Sequence, residues 1–191
     1  MAATGLGILG SGKGSNCRAI LERIRDGSLG AAARIVISDT ADAGILQIAR
    51  EFGIPEAHVS PGPFRTKMSP EAEQALVRLL LEAGVELVVL AGFMRVLKEP
   101  MLAAFPDRIL NIHPSLLPKF PGRAAWEQAL VAGETVTGCT VHLVDAGVDS
   151  GEIIAQREVP ILPNDTSESL HARIQIVERE LYPAAIARFC G

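Results

Sequence analysis

The sequence predicts an α/β protein with a doubly wound, mostly parallel open sheet and an antiparallel edge. Short apolar segments alternate with amphipathic segments along the first half of the chain. A nearly continuous apolar run at residues 86–92 suits a strand at the centre of a parallel sheet that helices cover on both faces. Two β-rich segments near the end, joined by a short glycine-bearing link, favour an antiparallel pair. We expect residues 1–191 to form one domain.

The first half of the chain has the rhythm of βαβ units. We expect strands at 6–9 and 34–38, each followed by a helix, at 16–25 and 43–52. Ser69, Pro70 and Glu71 supply an N-cap, a first-turn proline and a first-turn acid for a third helix, which stops at Gly84. A strand at 86–92, a short helix and a strand at 109–113 complete the parallel part of the sheet.

The second half of the chain predicts the sheet edge and a long final helix. Residues 136–144 and 152–160 are expected to pair as a hairpin across the loop 145–151. Asp165 and Glu168 resemble a capping box that opens a helix at 166–189. Pro183 should kink or interrupt that helix, because proline removes a backbone donor.

Composition excludes several classes of protein. The net charge of -4 comes from 22 acidic and 18 basic residues without a run of either sign, so we expect no nucleic-acid partner. The amino terminus lacks a basic signal region, and the apolar run at 87–90 is too short for a bilayer, which predicts a cytoplasmic protein with no membrane partner. The three cysteines and four histidines have neither disulfide nor metal-ligand spacing. We predict no metal and small-molecule substrates.

A glycine-rich loop, GSGKGSN at residues 10–16, follows the first strand and opens the first helix. Unpaired backbone N–H groups at a helix start favour a phosphate. A Walker A motif is rejected because Gly14 stands where a hydroxyl must reach magnesium, and a dinucleotide motif fits poorly because its glycines fall inside the strand. The alternative to phosphate binding is a tight turn with Ser15 or Asn16 as N-cap.

Three polar residues lie where an open α/β sheet binds ligands. Asn111 and His113 stand two apart at a strand end, so their side chains share a face. An amide can bind a developing oxyanion and an imidazole can move a proton, which suits attack on a carbonyl. Asp149, in a glycine-bearing loop, could orient the imidazole. The alternatives are buried hydrogen bonding and ordinary turn formation, and Ser115 lacks the GxSxG context of a hydrolase.

Four segments together resemble the phosphoribosylglycinamide formyltransferases, a family of folate-dependent formyltransferases. They are the GSGKGSN loop, LAGFMRVL at 90–97, NIHPSLLPKFPG at 111–122 and VHLVDAGVDSG at 141–151. The NIHPSLLP segment is shared across folate-dependent formyltransferases, whereas the GSN loop is typical of a ribonucleotide phosphate on the acceptor. The resemblance covers nearly the whole chain and implies a Rossmann-like fold in which formyl transfer serves de novo purine synthesis.

The resemblance also implies roles for individual residues. The donor is 10-formyltetrahydrofolate, and the acceptor is the amine of 5-phosphoribosylglycinamide. Asn111 would hold the formyl oxygen, His113 would assist proton transfer, and Asp149 would position the imidazole and a water. The implied phosphoribosyl contacts are Gly14, Ser15, Asn16 and Glu178. The implied folate contacts are Met94, Arg95, Val96, Leu97, Val144 and Asp145, with Lys67 or the nearby Arg65 at the glutamate tail.

The chain departs from the family where a histidine usually stands before EQAL. It carries Ala124 and Trp126 in that stretch, which predicts altered affinity or acceptor preference. Rival formyl-handling enzymes, methionyl-tRNA formyltransferase and formyltetrahydrofolate deformylase, carry further domains for which this chain has no room. A non-catalytic sensor of a phosphorylated metabolite is the alternative from another class. We expect a monomer or a weak homodimer.

Overall fold

The strands form one seven-stranded sheet in the computed structural model, which describes residues 3–190. The spatial order is β3-β2-β1-β4-β5-β6-β7, with parallel pairing up to β5 and antiparallel pairing of β5 with β6 and of β6 with β7. The predicted doubly wound sheet with an antiparallel edge is confirmed. The strands are β1 Thr4–Leu9, β2 Ala31–Ser38, β3 Glu56–His58, β4 Leu87–Leu90, β5 Ile109–His113, β6 Val136–Leu143 and β7 Ile153–Pro160.

Helices cover both faces of the sheet. Alternate residues of β4 divide between two apolar clusters: Leu87 and Val89 face one, Val88 and Leu90 the other. The first cluster contains side chains of α1, α2 and α6, and the second contains those of α3 and α4. The helices are α1 Ser15–Arg25, α2 Gly44–Phe52, α3 Pro70–Glu82, α4 Glu99–Ala104, α5 Ala125–Val131 and α6 Ser167–Ala187.

The last helix differs from its prediction in its capping residues and in continuing past Pro183. Its N-cap is Thr166, which exchanges hydrogen bonds with Ser169 three residues on, so the Asp165–Glu168 pair is not the capping box. The Asp165 carboxylate instead accepts two hydrogen bonds from the Arg173 guanidinium. Pro183 lies inside the helix without interrupting it. No helix within residues 3–190 is both long and apolar enough to span a bilayer.

Two short elements and one cap were not predicted correctly. The three-residue β3 and the seven-residue α5 are too short to show a periodic pattern. The N-cap of α1 is Gly14 rather than Ser15 or Asn16. Gly14 has φ 80°, and an added Cβ would lie 2.9 Å from the Ile45 Cα, so both the backbone conformation and the approach of α2 require glycine.

Candidate active site

A cavity of about 470 Å³ opens at the carboxyl ends of β4 and β5. This is the edge at which open α/β sheets bind ligands, and the size falls within the range of small-molecule pockets. The wall is largely apolar, and the base carries a polar cluster. The polar cluster consists of Asn111, His113, His142 and Asp149.

The amide of Asn111 is oriented by a histidine that sequence reasoning missed. His142 Nδ1 lies 2.7 Å from the Leu143 carbonyl, which can only accept, so Nδ1 carries a proton. In the neutral ring Nε2 is then an acceptor, and it lies 3.1 Å from Asn111 Nδ2. The second Nδ2 hydrogen has only a long contact of 3.5 Å with Asp149 Oδ1. It is therefore available to a ligand.

His113 is held between two acceptors. Its Nε2 donates to the Phe120 carbonyl at 2.8 Å, and its Nδ1 lies 3.3 Å from Asp149 Oδ2. Burial lowers the pKa of His113 below its usual range, and the Phe120 carbonyl and the Asp149 charge offset only part of that shift. Because Nε2 is committed to a carbonyl, Nδ1 is the ring atom that gains and loses a proton.

Asp149 reaches the imidazole from a strained loop position. Its φ is 52°, and its Oδ2 accepts from the Gly122 amide at 2.8 Å. Burial would raise the pKa of Asp149, but its contacts with His142, the Gly122 amide and His113 outweigh burial, so the pKa lies below its usual range. The site therefore contains an ionised carboxylate beside two imidazoles. Such an arrangement favours proton transfer at His113.

Ser115 is not placed to act as a nucleophile. Ser115 is fully buried and donates to the Lys119 carbonyl at 2.6 Å, so its hydroxyl is not presented to the cavity as a nucleophile. Within the part of the chain that the structure describes, no group of three or more His, Cys, Asp or Glu side chains could hold a metal ion.

The residues predicted for the phosphoribosyl group meet at the start of α1. Asn16 Nδ2 donates to Glu178 Oε2 at 3.0 Å across 162 residues of sequence. Both side chains are buried, and Asn16 Oδ1 has no hydrogen-bond partner. Burial raises the pKa of Glu178 above its usual range. Gly14 and Ser15 precede Asn16 at the same helix terminus, where backbone N–H groups are free of helical partners.

Most of the residues predicted for the folate line the cavity wall. Met94, Val96, Leu97, Val144 and Asp145 all do so. Val148, which is 56% exposed, extends the wall at the cavity mouth.

Two cationic residues of that prediction, Arg95 and Lys67, have different surroundings. Arg95 also lines the cavity, but its guanidinium bonds Asp39 and the Phe64 and Arg65 carbonyls, so the side chain is committed to the protein. Lys67 lies outside the cavity lining and forms a single β-bridge with Val96 at the rim.

Ala124 and Trp126, which lie in the stretch where the family usually has a histidine, also border the cavity. Trp126 stacks on His171 with ring centroids 3.7 Å apart and donates through Nε1 to Ser167 Oγ at 2.9 Å. Ala124 has φ 52° at the N-cap of α5, a conformation that alanine adopts at a cost. Both residues line the cavity, so they belong to its wall.

Residues 6–186 match the model of the formyl transferase family. The chain therefore belongs to the formyl transferases, as the sequence resemblance predicted. Within that family, the chain is similar to phosphoribosylglycinamide formyltransferases. It is 40% identical to Bacillus subtilis phosphoribosylglycinamide formyltransferase over 184 residues, which are 96% of this chain and 93% of that protein.

Solved structures and longer proteins show the same relationship. Glycinamide ribonucleotide transformylase 1 from Symbiobacterium toebii superposes with a TM-score of 0.94 at 49% identity, over 98% of this chain and 88% of that one. The trifunctional purine biosynthetic protein adenosine-3 of Drosophila pseudoobscura pseudoobscura is 48% identical over 182 residues. The match includes 94% of this chain but spans only 13% of the Drosophila protein, so only the formyl transferase part is comparable.

Proposed function

We propose that this protein transfers the formyl group of 10-formyltetrahydrofolate to the amine of 5-phosphoribosylglycinamide. The observation that carries the proposal is the polar cluster at the base of an apolar-walled cavity. There the ionised Asp149 carboxylate lies within 3.5 Å of the oriented Asn111 amide and of the His113 and His142 imidazoles. Family membership and the glycinamide-directed relatives support the choice of donor and acceptor.

The polar cluster would act on the formyl carbon as the amine attacks it. The free Nδ2 hydrogen of Asn111 would bind the formyl oxygen as negative charge develops there. His113 Nδ1 would take up a proton from the attacking amine, and Asp149 would stabilise the imidazolium that forms through its own charge. His142 would act as a positioning residue, because it fixes which way the Asn111 amide points. As the amine bonds to the formyl carbon, the bond from that carbon to the folate nitrogen would break, and the proton lost by the amine would pass through His113 to that nitrogen. The acyl group would thus pass directly between the substrates without a covalent enzyme intermediate.

The two substrates would bind at neighbouring places along the carboxyl edge of the sheet, the acceptor phosphate after β1 and the folate after β4 and β5. The apolar wall with Met94, Val96, Leu97 and Val144 suits a flat heterocycle such as a pterin. The N-terminus of α1, with Gly14, Ser15 and Asn16, suits the phosphate of the acceptor. Glu178 beside Asn16 would contact the ribose or the glycinamide.

The most direct test supplies purified protein with 10-formyltetrahydrofolate, with and without 5-phosphoribosylglycinamide. We expect tetrahydrofolate and formylated amine to form in equal amounts, and only when both substrates are present. Folate release without acceptor would overturn the proposal in favour of a deformylase. His113→Ala should abolish turnover with little loss of folded protein, whereas the sensor alternative predicts unchanged ligand binding and no turnover in either protein.

We also propose that this chain acts in the cytoplasm on small molecules alone, as one formyltransferase domain over residues 1–191 and as a monomer or weak homodimer. One continuous sheet crosses the described residues, which supports a single domain. Sedimentation of the active protein tests the oligomeric state, because a stable higher oligomer would contradict it.

A further inference from the structure

The loop between β3 and α3, residues 59–69, is here called the tail loop because it carries Lys67 and Arg65. Residues 62–67 are exposed. The loop closes on itself through the Ser69 amide, which donates to the Pro61 carbonyl at 2.8 Å. Lys67 Nζ lies 4.4 Å from the centre of the Phe64 ring. The exposed stretch 62–67 lies between two buried core residues, Val59 and Met68, and needs attachment of its own to keep one position.

Arg95 supplies that attachment from the cavity rim. Its Nη1 donates to the Phe64 carbonyl at 2.9 Å and to the Arg65 carbonyl at 2.6 Å. The neighbouring Val96 amide donates to the Thr66 carbonyl at 2.9 Å. These bonds join three consecutive carbonyls of the tail loop to the segment that lines the cavity.

The guanidinium is itself anchored in the protein interior. Arg95 Nε donates to Asp39 Oδ2 at 2.6 Å, and the Asp39 side chain is only 2% exposed at the end of β2. A planar guanidinium can hold a carboxylate with one nitrogen and carbonyls with another, whereas a lysine ammonium is a single point donor on a flexible stem. The position therefore uses a property that only arginine has.

We propose that Arg95 is a positioning residue that holds the tail loop against the cavity, so that the loop can bind the glutamate tail of the folate. This rests on the proposed function, because it assumes a folate donor. In this proposal the Arg95 side chain does not contact the pterin directly. It supports the loop that carries Lys67. The Arg95 side chain, together with the Val96 backbone, then fixes the tail cation relative to the pterin wall.

Trypsin tests the holding of the loop without any assumption about activity. Arg95→Lys keeps the number of tryptic sites, and Arg65 and Lys67 are themselves sites in the exposed loop. We expect native-state cleavage after these two residues to become about tenfold faster, the equivalent of losing a charge-assisted hydrogen bond. Arg50→Lys, which alters an exposed pair with Glu56, is the matched control and should leave the rate unchanged. An unchanged rate in Arg95→Lys would overturn the proposal.

Kinetics test the link to the tail. For Arg95→Lys we expect the KM for 10-formyltetrahydrofolate to rise about tenfold. The KM for the same donor without its glutamate should change less than about twofold. In both cases kcat should stay within about twofold. An equal rise in KM for both donors would mean that Arg95 contacts the pterin, and it would overturn the proposal. The proposal would also be overturned if the wild-type protein had the same KM for the donor with and without its glutamate. If no formyl transfer occurs at all, the proposed function fails while the trypsin result still decides whether Arg95 holds the loop.

Discussion

At the scale of single residues, the charge of Asp149 affects the pKa of His113. Its carboxylate stands 3.3 Å from His113 Nδ1 and opposes the lowering of the histidine pKa by burial. Asparagine tolerates the positive φ at this position and can still accept from the Gly122 amide, so Asp149→Asn removes the charge and little else.

We therefore expect Asp149→Asn to lower the pKa of His113 further and to reduce turnover by about 100-fold or more. Titration of the His113 ring by NMR would show the midpoint moving to lower pH, and steady-state assays would show the loss of kcat. Asp42→Asn removes the same charge at an exposed position and serves as control. A His113 midpoint that stayed in place would contradict the assigned coupling.

The stack of Trp126 on His171 makes a second residue-scale prediction. Burial lowers the pKa of His171 below 6.5, and Glu127 offsets part of the shift. The neutral ring is thus favoured in the folded state, so its contribution to stability is complete above pH 6.5 and is lost as pH falls from there towards the folded pKa.

Because Trp126 is the only tryptophan, its fluorescence reports directly on that ring. We expect emission to change with a midpoint below 6.5, and His171→Gln to abolish the change. His58→Gln, at an exposed position, should leave it intact. A midpoint above 6.5 would mean that the stacked ring is stabilised as a cation.

At the scale of elements, the start of α5 combines strain with a missing cap. Ala124 has φ 52° and no side-chain hydrogen bond to the first turn. Asparagine accepts this backbone conformation more readily than alanine and is a preferred N-cap. We expect Ala124→Asn to raise the free energy of unfolding by about 1 kcal/mol.

Urea denaturation measures this change, and Ala132→Asn provides the matched comparison at the other end of α5. Ala132 has φ -72°, so asparagine gains nothing there from relief of strain. Equal effects at the two positions would show that the backbone conformation of Ala124 is not strained. Because Ala124 lines the cavity, assays of the same variant also show whether this wall affects the acceptor.

At the scale of the whole molecule, the sequence predicted those features that depend on local pattern. Asn111 and His113 could be placed at a strand end because β5 is apolar and ends at a proline. His142 could not, because its position opposite Asn111 follows from the register of β5 against β6. The attachment of Arg95 to Asp39 likewise depends on β1 lying between β2 and β4, which no local pattern specifies.

The pairing of Asn16 with Glu178 joins the two ends of the chain at a cost in stability. Burial raises the pKa of Glu178, so the charged form is disfavoured in the folded state. Stability is then unaffected below the unfolded pKa near 4.5 and falls as pH rises through and above it. Glu178→Gln removes this dependence, and its amide can donate to the unpartnered Asn16 Oδ1.

We expect Glu178→Gln to be more stable than the wild type at pH 7 by on the order of 1 kcal/mol, with the difference vanishing towards pH 4. KM for 5-phosphoribosylglycinamide should rise in the same variant, since the buried charge would be retained for the acceptor rather than for folding. Thermal unfolding across pH, together with acceptor kinetics, measures both effects. Glu180→Gln changes an exposed pair on the same helix, so it should alter neither quantity appreciably. Lower stability of Glu178→Gln at pH 7 would show instead that the carboxylate holds the two ends of the chain together.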